Sequence, residues 1–275
     1  MKKIFAFIIG MVVCAHGLSA QTYEEFINKS YEYSEANNMP AAEECLKSAM
    51  RLEPANKLNF ALLTNLGTIQ RHQGKFEDAL MSYSAALAQR PKDEFILLNR
   101  AKLYTEMGET EKAIYDYSTI LTNDPTHEQC LYSRGLLYIN TGELMLAETD
   151  FYTIIDAHKD TFFGRFGHAI LEKARGSYDD SEIIFNYLAD EYPDNMRVLE
   201  ERAELFYFTK RNYRAMRDIN KVFAATKEPS AEMYMLRGRV KLALREKASA
   251  AIDFKKARDL GYDKETIDKL LKESF

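Results

Sequence analysis

The sequence predicts an all-α protein, a solenoid of about seven helical hairpins closed by a C-terminal helix. Three observations predict it. Glycine and proline are scarce, 12 and 6 in 275 residues, whereas an all-β chain needs a turn signal about every 8–12 residues. A small residue followed four positions later by a large apolar one recurs with a period near 34. Within each copy the apolar residues are spaced by three and four, which places them on one helical face. Apolar residues make up 46% and charged residues 29% of the chain, a balance that excludes disorder for its bulk.

The elements follow in order. Met1-Lys2-Lys3, an uncharged stretch from Ile4 to Val13, and Ala15 to Ala20 before Gln21 read as a secretory signal peptide over residues 1–20. The apolar stretch is too short for a membrane span, which needs roughly 20 residues. Cleavage is expected after Ala20. A lipoprotein site before Cys14 is disfavoured by the bulky Val13. The short Lys-Lys leader points to bacterial export, into the periplasm or beyond the cell. The mature chain then carries a net charge of −7, without the basic excess that would suggest nucleic acid. No second apolar run of spanning length follows.

The seven copies occupy residues 21–261. Their small residues are Ala42, Ala79, Ala113, Ala147, Ser181, Ala215 and Ala250. Their large partners are Leu46, Tyr83, Tyr117, Phe151, Phe185, Ile219 and Phe254. Four copies carry a proline eight residues after the large partner, at Pro54, Pro91, Pro125 and Pro193, where the next unit starts and the missing N–H costs least. Gly74, Gly108, Gly142 and Gly176 share the position of the hairpin turn. After Gly261, able to stop a helix in the left-handed conformation, Asp263 offers an N-cap. Ile267, Leu270 and Leu271 form one stripe. Residues 262–275 are therefore expected to cap the last unit, since stacked repeats need a covered end.

This pattern resembles the tetratricopeptide repeat. The copy Leu63-x-x-Leu66-Gly67, Ala79-x-x-x-Tyr83-x-x-Ala86, Pro91 carries it best, followed by Tyr104, Ala113, Tyr117, Pro125 and by Gly135, Tyr138, Ala147, Phe151. The chain has no tryptophan for the family's usual first position, and copies one, five and six are degenerate. The resemblance implies a right-handed superhelix, a right-handed solenoid of helix pairs wound around a concave groove, with one face of each first helix lining it. Carried over residue by residue, that face holds Phe95 and Leu98, then Tyr132, Leu136 and Ile139, then Phe163, Phe166 and Ile170, then Glu200, Glu204, Tyr207 and Phe208. An aromatic face turned to water needs a reason, and a partner protein or peptide is the expected one. Tight winding that covers these side chains is the alternative. Lys102, Asn99 and Asn140 do not make up the matched set with which some family members hold a terminal carboxylate.

A second regularity lies beneath the first. Arg100, Arg134, Arg202 and Arg237 are each followed sixteen residues later by Asp116, Asp150, Asp218 and Asp253. Copies one, two and five lack both members. The pairs are expected to be struts between the two helices of a hairpin, because each charge has a partner built in.

Chemistry leaves little trace. His72, His127, His158 and His168 have no ligand-spaced companion, no phosphate loop or nucleophile elbow occurs, and Cys45 and Cys130 stand 85 residues apart. Glu200, Glu201 and Glu204 read as a solvated helix face, and Asp179-Asp180 suits a helix start. No metal or cofactor is expected. The expected function is a non-catalytic scaffold that binds a protein or peptide in the groove, in envelope assembly or secretion. Two alternatives are a glycan-binding module, with Tyr132 and Asn140 as platform and polar neighbour, and an enzyme built on groove carboxylates. Copy five is the odd one: Gly164 and Gly167 have no repeat role. They suggest a pliable groove centre or simple repeat decay.

Overall fold

A computed structural model describes residues 22–159 and 161–273. The leader expected over residues 1–20 lies outside them. Among the described residues there are fifteen helices and no strand. They form two compact units that divide at Leu137 and Tyr138.

The first unit holds α1 (Tyr23–Glu35), α2 (Met39–Leu52), α3 (Asn59–His72), α4 (Phe76–Gln89), α5 (Glu94–Glu106), α6 (Thr110–Leu121) and most of α7 (Glu128–Thr141). Helices α1 and α2, α3 and α4, and α5 and α6 pack as hairpins, and α2 and α4 also pack on the first helix of the next hairpin. A capping box opens α1: Thr22 Oγ1 accepts from Glu25 N–H, and Glu25 accepts from Thr22 N–H.

The second unit holds the end of α7, then α8 (Leu144–His158), α9 (Phe162–Arg175), α10 (Tyr178–Glu191), α11 (Met196–Phe208), α12 (Asn212–Ala225), α13 (Ala231–Ala243), α14 (Lys247–Asp259) and α15 (Lys264–Glu273). Here α9/α10, α11/α12 and α13/α14 are the hairpins. Helix α15 starts where Asp263 accepts from Thr266 N–H at 2.8 Å. It lays Ile267, Leu270 and Leu271 on Phe254 and Ala257 of α14.

The repeat pattern is the core. All fourteen small and large repeat residues, from Ala42 and Leu46 to Ala250 and Phe254, are at most 2% exposed. The small member lets two helices approach and the ring fills the space beside it. A Cβ on Gly67 would stand 2.8 Å from the Tyr83 ring, and one on Gly238 2.5 Å from the Phe254 ring. The hairpin turn has a rule of its own. The residue five before the small one has positive φ in every hairpin: Asn37, Gly74, Gly108, Gly142, Gly176, Lys210 and Arg245. Four copies meet that demand with glycine; the other three hold an L-residue in the left-handed region, at a cost of about 1–2 kcal/mol.

Gly164 and Gly167 correct the expectation of a pliable centre. Both are buried on α9 and face α8. A Cβ on Gly167 would lie within 2.9 Å of three atoms of the buried Phe151 ring, and one on Gly164 would lie 2.8 Å from Ile155 Cγ1. Where copy five has Gly164, the first helices of copies two, three, four, six and seven place the buried Leu62, Ile96, Cys130, Val198 and Met233. Gly164 thus exchanges an apolar side chain for a close approach between neighbouring hairpins, and Gly167 adds to that approach.

Candidate functional site

Each unit presents the first-helix face that the resemblance marked out. In the first unit Phe95 and Leu98 on α5 are half-buried, Tyr132 on α7 is buried, and Leu136 is half-buried. In the second unit Ile139, Ile170 and Tyr207 are half-buried, while Phe163 is 37% and Phe208 49% exposed.

Two of the expected groove residues are taken up by packing. Phe166 is fully buried. It stacks on Phe162 at 5.0 Å, meets Phe185 edge-on at 6.0 Å, and carries the Arg197 guanidinium 5.4 Å above its ring. Tyr132, at 6% exposure, has little surface left to offer as a platform. Of the apolar side chains expected on this face, α9 and α11 leave Phe163, Ile170, Tyr207 and Phe208 in contact with water. Tyr207 and Phe208 stand 6.0 Å apart.

Polar groups complete these faces, and most of them escaped the sequence reading. Lys173 on α9 reaches Glu201 of α11 at 2.5 Å and also Glu204. Burial disfavours its charge, but the two carboxylates outweigh it and raise its pKa. Burial and the neighbouring Glu201 push the Glu200 carboxyl up. In the first unit Arg71 on α3 bridges to Glu106 on α5 at 3.1 Å, and the buried Arg71 Nε–H has no acceptor. Lys102, one turn before Glu106 and facing the same way, is half-buried. These partners lie nearly one repeat apart in sequence, and in a chain that is 29% charged no local spacing singles them out.

The arginine–aspartate spacing translates into forked bridges. Arg100 binds Asp116 through Nε and Nη2, both at 2.8 Å. Arg202 binds Asp218 at 2.7 and 3.0 Å, and Arg237 binds Asp253 at 2.9 and 2.6 Å. The three aspartates are at most 1% exposed. Asp150 is buried, and Arg134 donates to Ser118 at 2.8 Å. Arg202 likewise donates to Asn186 Oδ1 at 3.0 Å. Arg202 therefore ties its hairpin to the preceding one as well as to its own second helix.

Hairpins without the pair use other means. In copy two, Ser82 donates to Gln70, which donates to Glu43 of the preceding hairpin. Lys47, Gln73 and Lys75 also donate to Glu43. Burial alone would raise that carboxyl; the donors hold it at about 2. In copy five, His168 stands 3.5 Å from Glu172 and 5.2 Å from the Tyr152 ring. Cys45 and Cys130 are both free thiols. Burial pushes the Cys130 thiol up to about 12, which suits a core side chain and not a nucleophile. Among the described residues no cluster of three His, Cys, Asp or Glu could hold a metal ion, and no helix is long and apolar enough to cross a membrane.

Tetratricopeptide repeat models match residues 28–94 and 96–127. A tetratricopeptide repeat protein of known structure from Parabacteroides merdae is 55% identical to this chain. It aligns over 93% of this chain and 99% of its own, with a TM-score of 0.83. The chain belongs to the tetratricopeptide repeat family. The same repeat fold, at far lower identity, occurs in PilW, a type IV pilus biogenesis factor (17% identity, 79% of this chain and all of PilW, TM-score 0.63). It also occurs in MamA (15% identity, 64% of this chain and 95% of MamA, TM-score 0.54). Among curated proteins, none matches this tetratricopeptide repeat chain.

Proposed function

We propose that this tetratricopeptide repeat protein is an exported, non-catalytic scaffold that captures another protein through the first-helix faces of its hairpins. Its leader over residues 1–20 is removed after Ala20, and the mature chain works in the periplasm or outside the cell, in envelope assembly or secretion. One observation carries the reading: α9 and α11 keep Phe163 and Phe208 more than a third exposed in a fold that buries the large residue of every small–large pair. Apolar side chains grouped in water on one face mark binding surfaces, and aromatic residues dominate binding energy once covered. The family supports the same conclusion, since its repeats commonly serve protein–protein interaction.

The test is crosslinking in the native envelope with a photoreactive residue at position 163, followed by mass spectrometry. One crosslinked protein, lost when Phe163 and Phe208 are both changed to serine while the far-ultraviolet circular dichroism stays that of the parent, is the expected result. Phe166 is unsuitable for this purpose, because its fully buried ring holds the hairpin together. Capture undiminished by the double substitution refutes the assignment of the face. Retention of the leader in the purified native protein refutes export.

A further inference from the structure

The most exposed large apolar side chains among the described residues lie on the second helices of the hairpins, not the first. Six are 64–83% exposed: Met81 on α4, Tyr115 on α6, Met145 on α8, Ile183 on α10, Tyr213 on α12 and Ile252 on α14. Every copy from the second to the seventh has one. Met81, Tyr115, Ile183 and Ile252 stand two residues after the small residue of their copy, and Met145 and Tyr213 stand two before it. The two positions are one helical turn apart on one face. Apolar side chains exposed in register on the outer face of the second helices mark a surface separate from the first-helix faces.

In the second unit the charges on that outer face are sorted by helix. Helix α10 carries Asp179, Asp180, Glu182, Asp190 and Glu191 and no lysine or arginine. Helix α12 carries Arg214, Arg217 and Lys221, and its one acid, Asp218, is buried against Arg202. Asp179, Asp180 and Asp190 share the face of Ile183, at spacings of four, three and seven, and Arg217 and Lys221 share that of Tyr213, at spacings of four and eight. All five are exposed. On α14, Lys255 and Lys256 beside Ile252 continue the basic side, with Asp259 its one exposed acid. Arg214 bridges to Glu182 at 3.0 Å. Both lie near the start of their helices, so α10 and α12 run side by side in one direction, as repeats do.

A face that is acidic along one helix and basic along the next, with an exposed apolar residue on each, is complementary to itself. A twofold axis between α10 and α12 lays α12 of a second copy antiparallel on α10, and α10 of the second copy on α12. That brings Asp179 and Asp180 toward Lys221 of the second copy, brings Asp190 toward its Tyr213 and Arg217, and leaves Ile183 near the axis. One such contact uses both charged helices of both copies, whereas a head-to-tail contact leaves one of each unused.

We infer that two copies of this chain pair through the outer faces of α10 and α12, in a twofold dimer held by Ile183 and Tyr213 and kept in register by the acids of α10 and the bases of α12. The contact lies on second helices and leaves the first-helix faces of α9 and α11 open. It goes beyond the proposed function and stands without it.

The experiment is sedimentation equilibrium of the mature chain over a range of concentration. A dimer that dissociates on dilution and is weakened by salt is expected. Ile183→Ser should raise its dissociation constant about tenfold, the scale of losing a central apolar contact. Asp180→Lys with Asp190→Lys should abolish the dimer, and so should Arg217→Glu with Lys221→Glu, because like charges then meet in both halves of the contact. Mixed in equal amounts, the two double variants should dimerise with each other, since each supplies the charge that the other lacks; this recovery also shows that both are folded. A parent that stays monomeric, a parent that grows past the dimer, or a mixture that stays monomeric overturns the inference. So does dimerisation that survives either charge reversal, or an Ile183→Ser chain that dimerises like the parent. A monomeric parent that sediments with phosphatidylglycerol vesicles and not with phosphatidylcholine ones overturns it in favour of a lipid surface.

Discussion

Gly167→Ala separates two explanations of the glycines in copy five by the sign of a single measurement. In an unconstrained helix interior the change stabilises by about 1 kcal/mol, because glycine loses more backbone freedom on folding than alanine. A pliable or decayed helix would show that gain. The structure requires the opposite. The new Cβ would fall within 2.9 Å of three ring atoms of Phe151, and the ring is fully buried, so either it or α9 must move. Overpacking of this kind costs about 1–3 kcal/mol. With so close an overlap, the upper part of that range applies, which leaves a net loss of about 2 kcal/mol after the propensity gain. Urea unfolding followed by circular dichroism should show a lowered midpoint. Stacked repeats open in segments, so hydrogen exchange should place the loss in α8 and α9. Phe151→Leu should cost less in the Gly167→Ala background than in the parent, as expected of two residues that touch. A Gly167→Ala protein as stable as the parent, or more so, refutes the close-approach explanation.

Two further outcomes are expected. Asp218→Ala should destabilise by about 3 kcal/mol, because it strips the forked partner from Arg202, whose side chain is only 11% exposed; Asp218→Asn should cost less, and parent-like urea midpoints for the alanine variant would dismiss the strut. Glu43 is held at about 2, below the 4.5 of a free carboxyl, so its contribution to stability is present above pH 4.5 and lost as the pH falls toward 2; Glu43→Gln should flatten that acid decline, and an unchanged pH profile would contradict the four-donor site.

Much of the fold was legible because packing repeats. A large side chain that must fill the gap beside a small one in every hairpin leaves a 34-residue trace, and the sixteen-residue arginine–aspartate spacing is the second half of one helix, a turn and the first half of the next. The residues that stayed hidden act between hairpins. Gly164 and Gly167 looked like irregularities because their reason lies on α8, where Phe151 and Ile155 fill the space a side chain would need. Lys173 with Glu201 and Glu204, and Glu43 with its four donors, join helices through long flexible side chains whose spacing no backbone period fixes. The left-handed turn was recognised where glycine marks it and missed at Asn37, Lys210 and Arg245, where backbone geometry prevails over residue preference. Phe166 was placed on the right helix face, but the aromatic cluster of Phe162 and Phe185 and the cover of Arg197 decide that its ring is core.

The forked bridges have a consequence for how the chain finds its fold. Similar hairpins strung on one chain threaten to pair a first helix with the wrong second helix, since the apolar faces are nearly interchangeable. The charges discriminate where a copy with the pair adjoins one without it. If α11 took α10 as its hairpin mate, Arg202 would meet Ile184 where it needs Asp218; if α5 took α4, Arg100 would meet Ser82. Each error strands a charge in an apolar setting. The bridges thus disfavour pairing of α5 with α4 and of α11 with α10, the two places where a copy with the pair follows a copy without it.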